Sequence, residues 1–256
     1  MQPSDDAVRA LALCEEVAGE AIEPIDGGIV RVVPIRASPP DPVLLVMLGG
    51  TRAEAPAALR VLRHRLELRR AAGMWTFAVT SARGQEGKTT LAAQLALVLG
   101  EAERARVLLV EGSLDRPALA RLLGVDVPQG LGFSAQMARR MRGVGGPWAV
   151  LALHPSVHAL LEDPGEAGYP AALHAPVFRR AVDELARAYD WVIVDAPSIL
   201  GSGDAHVVEE VVDGVIVVAR SRRSRATDLR AAMKQLGTRK AVGVVLWDGP
   251  PGGARS

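Results

Sequence analysis

Trp75-Thr-Phe-Ala-Val-Thr80-Ser-Ala-Arg-Gly84-Gln-Glu-Gly87-Lys88-Thr89-Thr90-Leu91-Ala92-Ala-Gln-Leu95-Ala96 passes through three kinds of local order in succession. Residues 75–80 form a short apolar run with strand character. Residues 81–87 form a polar loop containing two glycines. From Lys88 onward, Leu91, Ala92, Leu95 and Ala96 recur at helical spacing. A strand, a glycine loop and a helix opened by Lys-Thr together bind phosphate.

The chemistry needs these residue types in this order. Gly84 and Gly87 let the backbone curl until successive N–H groups point at one anion. The helix starts where the anion sits, so its unsatisfied N–H groups and dipole add to the attraction. Lys88 brings a full positive charge to the outer phosphates. The Thr89 hydroxyl is placed to ligate Mg2+, a cation that keeps most of its waters. Arg83, Gly84, Gln85, Glu86, Gly87, Lys88, Thr89 and Thr90 are the expected nucleotide-binding residues. The usual pattern opens with glycine where this chain has Ala82, a residue small enough for the loop if its φ is negative. A chance Gly-Lys-Thr would lack the flanking strand and helix.

The chain has 256 residues, a formal net charge of +1 and 49% hydrophobic residues, enough for one large α/β domain with an extension. Near-neutrality gives no global field toward nucleic acid or membrane. Cys14 is the single cysteine, which excludes an internal disulfide and suits a reducing cytoplasm. No apolar run approaches the roughly 18 residues that span a bilayer. The acidic opening, Asp5-Asp6, is unlike a signal peptide.

Upstream of the loop, residues 1–41 read as an extension and linker that docks on the main domain or recruits a partner. Within it, residues 28–33 have strand character and residues 38–42 are proline-rich. Residues 43–48 are a compact apolar run, and residues 51–54 resemble a capping box. Pro56 leaves the start of the next helix open, while Leu59, Leu62 and Leu66 define its apolar face. Its arginines read as a solvated face.

Downstream, residues 106–110 form a strand ending at Glu111, where an acid faces the ligand crevice of an open α/β sheet. Residues 117–123 form a short helix stopped by Gly124. Residues 125–148 are rich in glycine and arginine and read as a mobile surface segment, followed by a strand at 150–153. His154 and His158 are four apart but separated by Pro155, and read as surface or loop histidines. Residues 177–189 form an amphipathic helix. Trp191-Val-Ile-Val-Asp195-Ala-Pro197 has the form of a Walker B strand, whose carboxylate holds Mg2+ through water. A helix at 204–212, a buried strand at 214–219, a basic cluster at Arg220, Arg222, Arg223 and Arg225, a helix marked by Leu229, Met233 and Leu236, and a strand at 241–247 complete the order. Residues 249–256 read as a disordered Gly/Pro-rich tail. Strands alternating with helices imply a three-layer α/β P-loop NTPase fold, a mostly parallel sheet with helices on both faces.

With these blocks placed, residues 42–248 resemble the bacterial tyrosine kinase (BY-kinase) domain of capsule and exopolysaccharide systems, within the MinD/ParA-type P-loop ATPases. The resemblance rests on residues 59–63, 79–82, 86–90, 107–110, Arg116-Pro117, 190–197 and 212–214. It implies ATP and Mg2+ as cofactors, Lys88, Asp195 and Glu111 as catalytic residues, and Thr89 and Asp195 as metal ligands. The second acidic strand of that family ends Asp-x-Asp-x-Arg; here the positions are Glu111, Ser113 and Asp115. The family's adenine-reading asparagine is Trp247, and its tyrosine-rich tail is absent, Tyr169 and Tyr189 being the tyrosines. Its ring-forming Glu-x-x-Arg-x-x-Arg helix appears as Ala57, Arg60 and Arg63, which makes Arg60 and Arg63 candidate oligomer-interface residues.

Three functions follow from the resemblance. The first is a cytoplasmic ATP-hydrolysing enzyme or tyrosine kinase, recruited to the inner membrane by a membrane-embedded polysaccharide co-polymerase or chain-length regulator and forming a homo-oligomer. Ser113 implies that its phosphotransfer is weak or lost. The second is a non-catalytic, nucleotide-dependent regulator of the same system. The third is a MinD/ParA-like positioning ATPase, in which Arg83 stands where that group carries a second lysine. No specific nucleic acid is expected as a partner.

Overall fold

The computed structural model describes residues 28–34, 54–101, 105–144, 146–163, 175–237 and 239–247. The apolar run at 43–48, the capping box at 51–54 up to the first helical residue, Tyr169 and the tail at 249–256 lie outside them.

In chain order the elements are β1 (Val30–Val33), α1 (Glu54–Arg70), β2 (Thr76–Ser81), α2 (Lys88–Gly100), β3 (Val107–Glu111), α3 (Leu119–Leu123) and α4 (Phe133–Met141). They continue as β4 (Trp148–His154), β5 (Val157–Leu160), α5 (Ala175–Leu185), β6 (Trp191–Asp195), α6 (Asp204–Val211), β7 (Gly214–Arg220), α7 (Ala226–Leu236) and β8 (Ala241–Trp247). Pro56 falls in the first turn of α1, where its missing N–H is one that a helix leaves unpaired anyway. Gly124 ends α3 in the left-handed region, at φ 66°.

Among the described residues the strands form one eight-stranded sheet in the order β1-β4-β5-β3-β6-β2-β7-β8. Every neighbouring pair is parallel except β4 with β5. The central strands β2, β3 and β6 are buried along their whole length, which is why their middles read as apolar runs rather than alternations; the polar Thr76, Thr80 and Ser81 of β2 are buried and hydrogen-bonded. Leu59 and Leu66 of α1, the apolar residues of α2, and Leu119 and Leu123 of α3 pack on one face with Phe77, Val79 and Trp191. Phe133 and Met137 of α4, Phe178 and Val182 of α5, Val208 of α6 and Leu236 of α7 pack on the other face with Ala78, Val192 and Val217. These are the three expected layers. β1, from the stretch read as an extension, is hydrogen-bonded in register to β4, with Val30 opposite Trp148.

Two readings are corrected. Residues 125–148 are not a mobile surface segment throughout: α4 lies within them, with Phe133 and Gln136 fully buried. The Gln136 amide donates to the Ala149 carbonyl at 2.9 Å and accepts the Ala149 N–H at 2.9 Å, standing in for a neighbouring strand. The arginines that suggested solvent exposure are partnered: Arg139 donates to the Gly130 carbonyl at 2.7 Å, and the Arg140 guanidinium lies 3.3 Å from the Trp148 ring centroid. Nor are His154 and His158 surface loop residues, since they lie on β4 and β5, the antiparallel pair. His158 is buried against Tyr189, with Nδ1 2.8 Å from its hydroxyl, and burial pushes its pKa down to about 4.

The amino ends of the strands are tied off by two aspartates. One oxygen of Asp213 accepts the N–H groups of Trp75 and Thr76 and the Thr76 hydroxyl, at 2.8–2.9 Å. Asp190 accepts Arg70 at 2.6 Å and the Arg106 N–H at 2.9 Å.

Candidate functional site at the carboxyl ends of the central strands

The strand order sets β3, β6 and β2 side by side, so whatever follows their last residues meets at one crevice. β2 ends at Ser81 and runs into the glycine loop. Gly87 occupies the left-handed region at φ 98° as the residue before α2, a conformation that a Cβ would strain. Ala82 is buried and keeps a negative φ, so the missing glycine costs the loop no strain. The loop is stitched to the segment after β6 by Ala196 N–H to the Val79 carbonyl, Ile199 N–H to Ser81 and Leu200 N–H to Ala82, at 2.9–3.1 Å.

Lys88 and Asp195 share this crevice. Their charged atoms are 3.8 Å apart, an ion pair too long for a hydrogen bond. The Lys88 ammonium also lies 3.5 Å from the Thr89 hydroxyl. Glu111 is opposite Asp195 in the β3–β6 register. Both carboxylates are fully buried. Glu111 Oε2 accepts the N–H groups of Ala118 and Leu119, at 3.1 and 2.9 Å. Glu111 Oε1 and both oxygens of Asp195 have no hydrogen-bond partner. Burial, and then the charge of Asp195, push the Glu111 pKa up to about 8, against the pull of the Leu119 and Ala118 N–H groups. Burial raises Asp195 too, opposed by Lys88 and Thr89.

Three buried acceptor oxygens with no protein partner, beside a lysine and a helix N-terminus, fit a hydrated divalent cation and the phosphates it neutralises. Asp195 and Thr89 would hold that cation, which supplies charge neutralisation when bound. Among the described residues no three His, Cys, Asp or Glu side chains cluster as a metal cage.

Other expected site residues point elsewhere. Arg83 is turned to Asp228 of α7, to which it donates at 2.8 and 3.2 Å. Gln85 accepts from Arg223. Glu86, itself buried, accepts the Arg83 N–H at 2.9 Å and the Ser224 hydroxyl. Arg60 and Arg63 both pair with Glu101 just beyond α2, at 3.5 and 3.4 Å, and Arg63 also donates to the Val98 carbonyl at 3.2 Å. Ser113 is buried beside the acidic strand.

Gly112 is a residue the sequence reading passed over. A Cβ there would lie 2.7 Å from Val194 Cγ1 and 3.0 Å from the Asp195 carbonyl oxygen, which accepts the Gly112 N–H at 2.9 Å. The pairing of β3 with β6 sets the two acids side by side, and glycine at 112 lets the chain leave β3 against β6 without a clash.

The sheet, the glycine loop and the acidic strand ends define a P-loop NTPase fold of the ParA/MinD and BY-kinase type. Residues 74–242 match the family model described as "Cellulose biosynthesis protein BcsQ", and the chain belongs to that family. It is 28% identical over 163 residues to the tyrosine-protein kinase YwqD of Bacillus subtilis, covering 64% of this chain and 67% of that protein. The kinase domain of the Escherichia coli tyrosine kinase ETK superposes with a TM-score of 0.62 at 21% identity, over 83% of this chain and 82% of that one. A ParA family ATPase from Chlorobium tepidum superposes with a TM-score of 0.54 at 20% identity, over 68% and 73%.

Proposed function

We propose that this chain binds MgATP and acts as a BY-kinase-type P-loop protein in the synthesis or export of an extracellular polysaccharide. The observation that carries the reading is the Lys88–Asp195 pair at 3.8 Å, with both Asp195 oxygens unpartnered at the mouth of the glycine loop. Gly84, Gly87 and the backbone of residues 85–90 bind the phosphates, Lys88 neutralises the outer ones, and Thr89 and Asp195 take the magnesium. Glu111 is the base or a further metal ligand. The family description, cellulose biosynthesis, supports a polysaccharide role. The partner is a membrane-embedded co-polymerase or chain-length regulator, which brings the protein from the cytoplasm to the inner membrane; no described helix is long and apolar enough to cross one. Residues 42–248 form the nucleotide-binding unit, and residues 1–41 extend it. Arg60 and Arg63 lie at an interface between copies.

Two observations favour the nucleotide-dependent regulator over an active tyrosine kinase. Ser113 removes one charge beside the acidic pair, and a single charge-positioning group can account for orders of magnitude in rate. Tyr189 is buried and bonded to His158, and burial raises its pKa, so its hydroxyl is a poor acceptor. The purified protein is expected to hydrolyse ATP slowly and to label itself weakly. Strong phosphotyrosine at Tyr169 or Tyr189 would reverse that preference.

Isothermal titration with MgATP tests the site itself. Lys88→Met is expected to abolish binding; an unchanged titration in that variant would refute the assignment.

A further inference from the structure

Two turns face each other across the mouth of the glycine loop. Among the described residues, the non-glycine residues with positive φ are Gln85 at 64° and Arg222 at 61°, one in each turn. Each φ is unfavourable for a side-chain-bearing residue and persists only where its surroundings hold it. The second turn is closed by its own backbone, the Arg223 and Ser224 N–H groups donating to the Arg220 carbonyl at 3.1 and 2.9 Å, and side chains tie it to the first. Arg223 donates to the Gln85 side chain, and the Ser224 hydroxyl donates to Glu86. The direction of the second bond is fixed, because a carboxylate only accepts; Ser224 Oγ in turn accepts the Arg220 N–H at 2.7 Å. Glu86 passes the constraint on, since its other oxygen accepts the Arg83 N–H at the start of the loop. Asp228 closes the contact by gripping the Arg83 guanidinium with both oxygens.

We propose that residues 222–228 form a clasp that sets the shape of the phosphate loop, with Ser224 as its positioning residue acting through Glu86. Neither side chain needs to touch the ligand. Glu86 holds the N–H of Arg83 inside the loop, and without Ser224 it loses the bond that orients its carboxylate. The loop must then be ordered at the moment of binding, which lowers affinity without removing any phosphate contact. The inference rests on the nucleotide reading of the same loop.

The test is titration of the full chain with MgATP. Ser224→Ala is expected to weaken binding on the order of tenfold, the scale of a lost hydrogen bond to a charged group. Ser224→Thr, which keeps the hydroxyl, is expected to restore it. Loss of the bonds to buried Glu86 and to the Arg220 N–H is expected to lower the melting temperature of Ser224→Ala as well, so the threonine rescue and the mutant cycle, not the melt, separate the clasp from a general loss of packing. In a double-mutant cycle with Glu86→Ala, the combined loss is expected to fall well short of the product of the single losses. Wild-type affinity in Ser224→Ala, failed rescue by threonine, or simple additivity would overturn the clasp while leaving the nucleotide reading intact. A wild-type chain that binds no MgATP would overturn both.

Discussion

Glu111 and Asp195 are two buried acids side by side, and their environment disfavours charging both. The Glu111 pKa stands near 8 in the folded chain, raised from an unperturbed 4.5 chiefly by burial and secondly by Asp195. A raised folded-state pKa means that the folded chain holds a proton which the unfolded chain releases. The stabilisation is therefore complete below the unfolded value and is lost as pH rises through the folded one. The metal-free protein is expected to melt at progressively lower temperature as pH rises from about 4.5 to about 8. Glu111→Gln retains an acceptor for the Ala118 and Leu119 N–H groups but cannot ionise. Its melting temperature should change less across that window, and an unchanged slope by differential scanning fluorimetry would contradict this account.

At the scale of elements, α4 is held by one amide more than by its polar surface. Gln136→Leu would strand the N–H and carbonyl of Ala149 in a buried position, at a cost of about 1–3 kcal/mol. Urea unfolding should show a lower midpoint with an unchanged slope. The same helix shows where sequence legibility ends. β2, β3, β6 and β7 were readable because central parallel strands, covered on both faces, are apolar through their middles. The crevice was readable because its acids terminate such strands and its lysine opens a helix. α4 was hidden because Arg139 and Arg140 look solvent-bound until Gly130 and Trp148 are seen beneath them. β5 was missed because it is four residues long and pairs antiparallel with β4 through a turn at Ser156. The contacts between Glu86 and Ser224 join residues 138 apart, a relation that no local pattern encodes.

At the scale of the whole molecule, the sheet of the described residues ends at β1 on one side and β8 on the other. β8 reads Ala-Val-Gly-Val-Val-Leu-Trp, with no charge or proline, and Leu246 is 71% exposed. Edge strands of this kind pair readily with other chains. Leu246→Lys should leave unfolding within about 0.5 kcal/mol of wild type, because the side chain buries little. It should also reduce light scattering at high protein concentration; equal scattering would show that this edge does not drive association.

The aspartates at 190 and 213 occupy the opposite rim from Lys88 and Asp195. One rim is sutured by carboxylates whose every role is internal, while the other leaves both oxygens of Asp195 and one of Glu111 without a hydrogen-bond partner. Durability and responsiveness are thus housed at opposite poles of the same strands. A random library screened first for soluble yield and then for retention on nucleotide resin would divide accordingly, with losses at 190 and 213 in the first screen and losses at 88 and 195 only in the second.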